Sequence, residues 1–483
     1  MTVAKTGLGD LRGLAGDGVI RFRGLAYARA SRFGRPHAAA SVPAEALAHG
    51  PIPPQPPSRL RAAMGDYDLD QGEDCLTLTI ATPALSGSRP VIVVLHGGAY
   101  LSGAGSLAWY DGATLARDGD CVVVGVNYRL GALGWLHLPP VSQGNNGLHD
   151  MLAALRFVRA HIAAFGGDPE RVTLLGQSAG AHAIMCLLAM EEARGLLHRA
   201  ILQSAPPAMT PLSAAVAQAY GTRLAELAEV EPEGLRSLPV PALMAAQLRL
   251  AQAIAAFADV RPPFLPVFDA LAEPHAFIAA AARGAAERGV PLIVGTTREE
   301  MHAFFVPDRA MGEPDPLLTE RRFRELAGET ALARYRAWRP GGAAMELLGD
   351  LVTDHMFQFP SLALAEAVAR AGGTAFAYRF DWSVPGNPFR ACHCIELPFV
   401  FGTFHDWPDA GMLRGGDAGE MQALAASLRA AWAGFAHRGD PAMAALPWPA
   451  YEPARRMTRL FDRVISCVGD PAGMAWRHNG GTS

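Results

Sequence analysis

An apolar, β-branched run, Arg171-Val172-Thr173-Leu174-Leu175, stops at Gly176-Gln177-Ser178-Ala179-Gly180, and a helix-forming apolar segment follows at once. Gly-x-Ser-x-Gly between a strand and a helix predicts a sharp elbow that holds the serine in a strained backbone conformation. The glycines matter because a Cβ at 176 or 180 would collide with the crossing strand and helix. A glycine-flanked serine in an ordinary turn would need neither neighbour. The elbow also restricts the fold, because it requires a sheet strand feeding directly into a helix. The helix N-terminus then lies behind the hydroxyl and favours negative charge there.

The rest of the chain repeats that alternation. Buried-type strands are expected at 91–96, 121–127, 171–176, 200–203, 292–295 and 374–380, continuous in apolar residues as strands covered on both faces should be. Helical periodicity at 149–163 and elsewhere between the strands predicts a mostly parallel central sheet with helices on both faces. Alanine-rich stretches at about 205–290 and 320–370 read as helical insertions over the cleft end of that sheet. With no linker-like boundary, residues 1–483 read as a single α/β domain. Half of the residues are apolar and 18% are charged, enough for a large core.

A formal net charge of −4 argues against nucleic acid or an anionic membrane surface as partner. The N-terminus has no signal-peptide apolar region and no apolar run is long enough to span a bilayer, so a cytoplasmic protein is expected. The six cysteines lack metal-ligand spacing; Cys392-His393-Cys394 crowds three ligand types without a second pair. No metal and no cofactor are expected.

A nucleophilic serine needs an oxyanion hole, a base and an orienting acid. A strand running into His96-Gly97-Gly98-Ala99 offers exposed backbone N–H groups, and Ala179 offers another. With the chain order serine, acid, histidine, the base is to be sought among His355, His393, His405, His437 and His478. His393 precedes an apolar run that would anchor its loop. For the acid, the end of the strand near 295 presents two adjacent candidates, Glu299 and Glu300, between which spacing does not choose.

Several segments together resemble the type-B carboxylesterase, or cholinesterase-like, branch of the α/β-hydrolases, in its compact bacterial form. They are Glu73-Asp74-Cys75-Leu76, His96 to Tyr100, Asn127 to Gly131, Asn145 to Asp150, Phe165 to Pro169, Gly176 to Gly180, Gly295 to Glu300 and His393 to Gly402, all in the family's order. The resemblance spans nearly the whole chain and implies the α/β-hydrolase fold. It implies Ser178, Glu300 and His393 as catalytic residues and the N–H groups of Gly98, Ala99 and Ala179 as oxyanion donors. By the same resemblance Arg129 is expected to pair with Asp168 and Glu73 with Arg32, and Ser204 to lie beside the catalytic group. Three departures stand out: Ala99 and Met301 replace usual glycines, and Gln177 replaces the usual glutamate beside the serine. No cysteine precedes Cys75, which is expected to be a free thiol.

The resemblance implies a serine hydrolase cleaving small carboxylic esters, with short to medium acyl chains expected, as a monomer or small homo-oligomer. An amidase or carbamate hydrolase on the same residues is the alternative, and a non-catalytic binding homologue a further one. Residues 260–266 resemble the family's acyl-pocket segment with prolines in place of paired aromatics. The loop before Glu73 carries no tryptophan, which disfavours a choline platform.

Overall fold

A computed structural model describes residues 2–41, 44–443 and 446–471. Its centre is a 12-stranded sheet. In chain order the strands are β1 (Thr2–Thr6), β2 (Gly9–Gly16), β3 (Val19–Ala26), β4 (Thr77–Thr82), β5 (Arg89–Leu95) and β6 (Val122–Val126). They continue with β7 (Gly167–Gln177), β8 (Arg199–Gln203), β9 (Leu292–Thr297), β10 (Ala375–Phe380), β11 (Met457–Phe461) and β12 (Ser466–Gly469). The order across the sheet is β1-β2-β3-β4-β6-β5-β7-β8-β9-β10-β11-β12. From β6 across to β11 every neighbouring pair is parallel. The flanking pairs are antiparallel.

Burial follows this division. β5, β6, β8 and β9 are buried almost along their whole length, whereas β1 and β2 alternate buried and exposed residues. Helices on both faces of the parallel strands leave no wet side, while a terminal hairpin needs only one apolar face. All six strands expected from the sequence are present: β5, β8 and β9 gain one or two residues at one end, β7 gains four at its start, and β6 and β10 are slightly shorter than expected. The sheet's order and helical cover are those of an α/β-hydrolase fold.

The helix Asn146–His161 falls where periodicity placed it. Ala214–Leu227 and Val240–Ala253 pack on each other. Pro274–Glu287 lies against Ala179–Ala189 and Phe359–Arg370, the latter packing on β9 and β10. Pro274–Glu287 belongs to the connection from β8 to β9, and Phe359–Arg370, in the connection from β9 to β10, covers the sheet there. Among the described residues no helix is long and apolar enough to cross a membrane.

Candidate active site

The parallel strands deliver their chemistry at one edge, where the carboxyl ends of β5, β7 and β9 meet. β7 ends at Gln177, Ser178 adopts φ 53° and ψ −119°, and the helix Ala179–Ala189 begins at the next residue. A Cβ on Gly180 would stand 1.9 Å from the Leu95 carbonyl oxygen, and one on Gly176 2.5 Å from the Ala181 nitrogen. The glycines are therefore required by the close approach of strand and helix. The Ser178 N–H donates to the Gln203 carbonyl (2.8 Å) and fixes the elbow to β8.

β5 runs into His96-Gly97-Gly98-Ala99, and Gly98, Ala99 and Tyr100 all have positive φ (115°, 55° and 59°). Gly97, Gly98 and Ala99 wall the cleft. Among the described residues the N–H groups of Gly98, Ala99 and Ala179 donate to no protein acceptor. His96 is stacked on Tyr128 at 4.3 Å, and burial pushes its pKa down to about 4, so it stays neutral beneath this loop. The Tyr100 hydroxyl donates to Nδ1 of His182 (2.7 Å), whose Nε2 bonds the Met209 carbonyl (2.5 Å). Burial lowers the His182 pKa to about 4 as well, and this neutral imidazole ties the glycine loop to the elbow helix.

Glu300 and His393 are brought together. The imidazole Nδ1 lies 2.5 Å from Glu300 Oε2, and Glu300 Oε1 accepts the Thr297 N–H at 2.8 Å. Both side chains are buried, and the rings of Phe304 and Phe357 stand 5.5 and 5.2 Å from the imidazole, keeping water from the pair. Glu299 turns elsewhere, to Arg298 (2.8 Å) and the Ala391 N–H. Met301 is buried, with its N–H on Thr353 Oγ1.

Ser178 and His393 wall the same cleft, a cavity of about 50 Å³, but no hydrogen bond joins them. Nε2 of His393 receives the Gln177 amide at 3.2 Å, as an unprotonated ring nitrogen does when the proton sits on Nδ1. Other walls of the cleft include Gly97 to Ala99, Arg59, Tyr67, Trp109, Tyr110 and Phe304. Of these, the aromatic walls and Arg59 were not singled out in the sequence, because nothing in periodicity tells a cleft aromatic from a core one.

The remaining candidates lie apart from this cleft. His355 packs on Phe359, His405 pairs with Asp406, and His437 bonds the Gly119 carbonyl. His478 is outside the described residues. Ser204 is buried with φ 48°, and its hydroxyl makes no hydrogen bond to Ser178, Glu300 or His393. Residues 260–266 do not wall the cleft, although the Val260 carbonyl accepts from Arg59 at its edge. Cys75 is a buried free thiol, and Arg32 pairs with Glu73 through two guanidinium nitrogens.

The expected Arg129–Asp168 pair does not form. Arg129 binds Asp150 with both carboxylate oxygens (2.8 and 2.6 Å). The reason is topological: Arg129 follows the carboxyl end of β6, whereas Asp168 sits at the opposite, amino end of the parallel β7. Asp168 accepts from Ser88 and from the Glu170 N–H.

Comparison with known proteins shows the family to which the chain belongs. The model of the carboxylesterase family matches residues 1–463. The chain belongs to the carboxylesterase family. Among relatives of this carboxylesterase, a "probable N-octanoylanthranilate hydrolase" of Rhodococcus erythropolis is 40% identical, over 94% of this chain and 96% of that one. The para-nitrobenzyl esterase of Bacillus subtilis is 35% identical over 97% and 96%. A solved carboxylesterase of Geobacillus stearothermophilus superposes with a TM-score of 0.87 at 34% identity, covering 99% and 100% of the two chains. The protein is a carboxylesterase-type hydrolase.

Proposed function

We propose that this carboxylesterase cleaves esters through an acyl-enzyme on Ser178. His393 Nε2 takes the hydroxyl proton as Ser178 Oγ attacks the carbonyl carbon, and Glu300 holds the imidazole and stabilises its cationic form. The N–H groups of Gly98, Ala99 and Ala179 receive the oxyanion, with the helix N-terminus adding to the field. The imidazolium then protonates the leaving alcohol, and water repeats the sequence to release the acid. The Gln177 amide gives up Nε2 when Ser178 engages it.

The observation that carries this reading is the buried Glu300–His393 contact at 2.5 Å, opening on the same cleft as the strained Ser178. Ser178→Ala is expected to abolish the burst on a p-nitrophenyl ester and to lower kcat by about 10³-fold or more. Retention of the wild-type rate would refute the assignment. The narrow, partly aromatic cleft favours short to medium acyl chains, and a p-nitrophenyl chain-length series tests this. Dominant turnover of long-chain lipids would overturn it.

A second reading is hydrolysis of amides on the same residues. It is favoured by the 40% identical relative, whose name describes an anthranilate acylated on nitrogen. Matched ester and anilide substrates separate the two.

A further inference from the structure

Arg59 walls the same cleft as Ser178 and His393, and no step of the proposed hydrolysis uses it. It follows the proline-rich segment and precedes the short turn Arg61–Met64. One guanidinium nitrogen donates to the Val260 carbonyl at 3.1 Å. Among the described residues its other donors have no protein acceptor, and no carboxylate lies within ion-pair distance. Asp259, the nearby acid, is already held by Arg261 through both oxygens (3.1 and 2.8 Å). Arg59 is exposed to solvent, yet desolvation by the surrounding protein draws its pKa below that of a free guanidinium.

A cation in this position is anchored at one nitrogen, has no carboxylate within ion-pair distance, with Asp259 acting on it only from further off, and belongs to a residue that walls the cleft. A planar fork of unused N–H donors fits the two oxygens of a carboxylate. Tyr67, Trp109, Tyr110 and Phe304 line the same cleft and offer ring faces and edges to a flat group.

We propose that Arg59 is a substrate-carboxylate anchor, so that the enzyme prefers acyl compounds carrying a free carboxylate away from the scissile carbonyl. The anchor is a binding group, and it rests on the hydrolase reading above. The carboxylate could sit on the leaving half or on the acyl half, and two substrate pairs distinguish these. For the leaving half, 3-butanoyloxybenzoate is compared with 3-butanoyloxybenzamide. For the acyl half, the 4-nitrophenyl monoester of glutaric acid is compared with 4-nitrophenyl pentanoate.

The wild-type enzyme is expected to favour the anionic member of one pair by about tenfold in kcat/KM, chiefly through KM, as one charge-assisted contact would. In Arg59→Gln that ratio is expected to fall towards one, and Arg59→Lys should keep part of it. Raising the salt concentration should shrink the wild-type ratio. A ratio that survives Arg59→Gln, or no preference in either pair, overturns the anchor. Failure of the wild type to turn over the two neutral substrates would count against the hydrolase reading itself. The anchor is then read without turnover: binding of 3-hydroxybenzoate or glutarate, measured by calorimetry, should weaken about tenfold in Arg59→Gln, and equal binding refutes it.

Discussion

Glu396 lies behind the Glu300–His393 pair, fully buried, with one carboxyl oxygen on the Gln203 amide (3.2 Å) and the other unbonded. Burial, and then the charge of Glu300, push its pKa up to about 8. The folded protein thus holds a proton that the unfolded chain releases above about pH 4.5. This contribution to stability is complete at low pH and is lost as pH rises towards 8, on the order of a few kcal/mol over that window. Glu396→Gln keeps the acceptor for Gln203 and cannot ionise. Its melting temperature should exceed the wild-type value at pH 8 and approach it near pH 5. Parallel curves would show that Glu396 does not titrate in this range. At the same scale, the choice of Glu300 over Glu299 follows from which carboxylate the loop aims at His393. Two adjacent glutamates carry no such information in their spacing. The Gln177–His393 contact was equally hidden, since the residue next to an elbow serine can point to either side of the strand.

Between elements, the covering helices are placed by small residues as much as by apolar faces. Pro274–Glu287 crosses Ala179–Ala189 at Gly284, where a Cβ would fall 1.9 Å from the Leu188 carbonyl oxygen. Gly284→Ala must push apart the helix that begins beside Ser178 and its neighbour. A loss of about 1–3 kcal/mol is expected, read as a melting transition several degrees lower. Gly312→Ala, where a Cβ meets open space, serves as the control and should change little. If both variants melt alike, the close crossing is not under steric constraint. Helical periodicity announced these segments but not their partners. Alanine-rich helices that cover the sheet and those that pack on one another, such as Ala214–Leu227 with Val240–Ala253, read the same along the chain.

Across the whole molecule, Arg129 joins distant parts: it binds Asp150 on the helix Asn146–His161 and donates to the Gly34 carbonyl at 2.7 Å. Both members of the ion pair are buried. Asp150→Asn should therefore cost about 3–5 kcal/mol, the penalty of leaving a buried guanidinium unpaired. Asp168→Asn, at the other end of the sheet, should stay within about 1 kcal/mol. Urea denaturation of the two variants checks this, and equal losses would contradict the pairing. Periodicity and the elbow determined the α/β architecture, because continuous apolar strands and Gly-x-Ser-x-Gly impose local geometry wherever they occur. Local rules also placed Ser178 and the glycine loop before it. The resemblance pointed to Glu300 and His393, but spacing did not, and tertiary structure alone decided that Arg129 meets Asp150 and that Arg59 stands at the cleft without an ion-pair partner. Those are contacts between residues tens to hundreds of positions apart, set by strand order and direction, which no local pattern encodes.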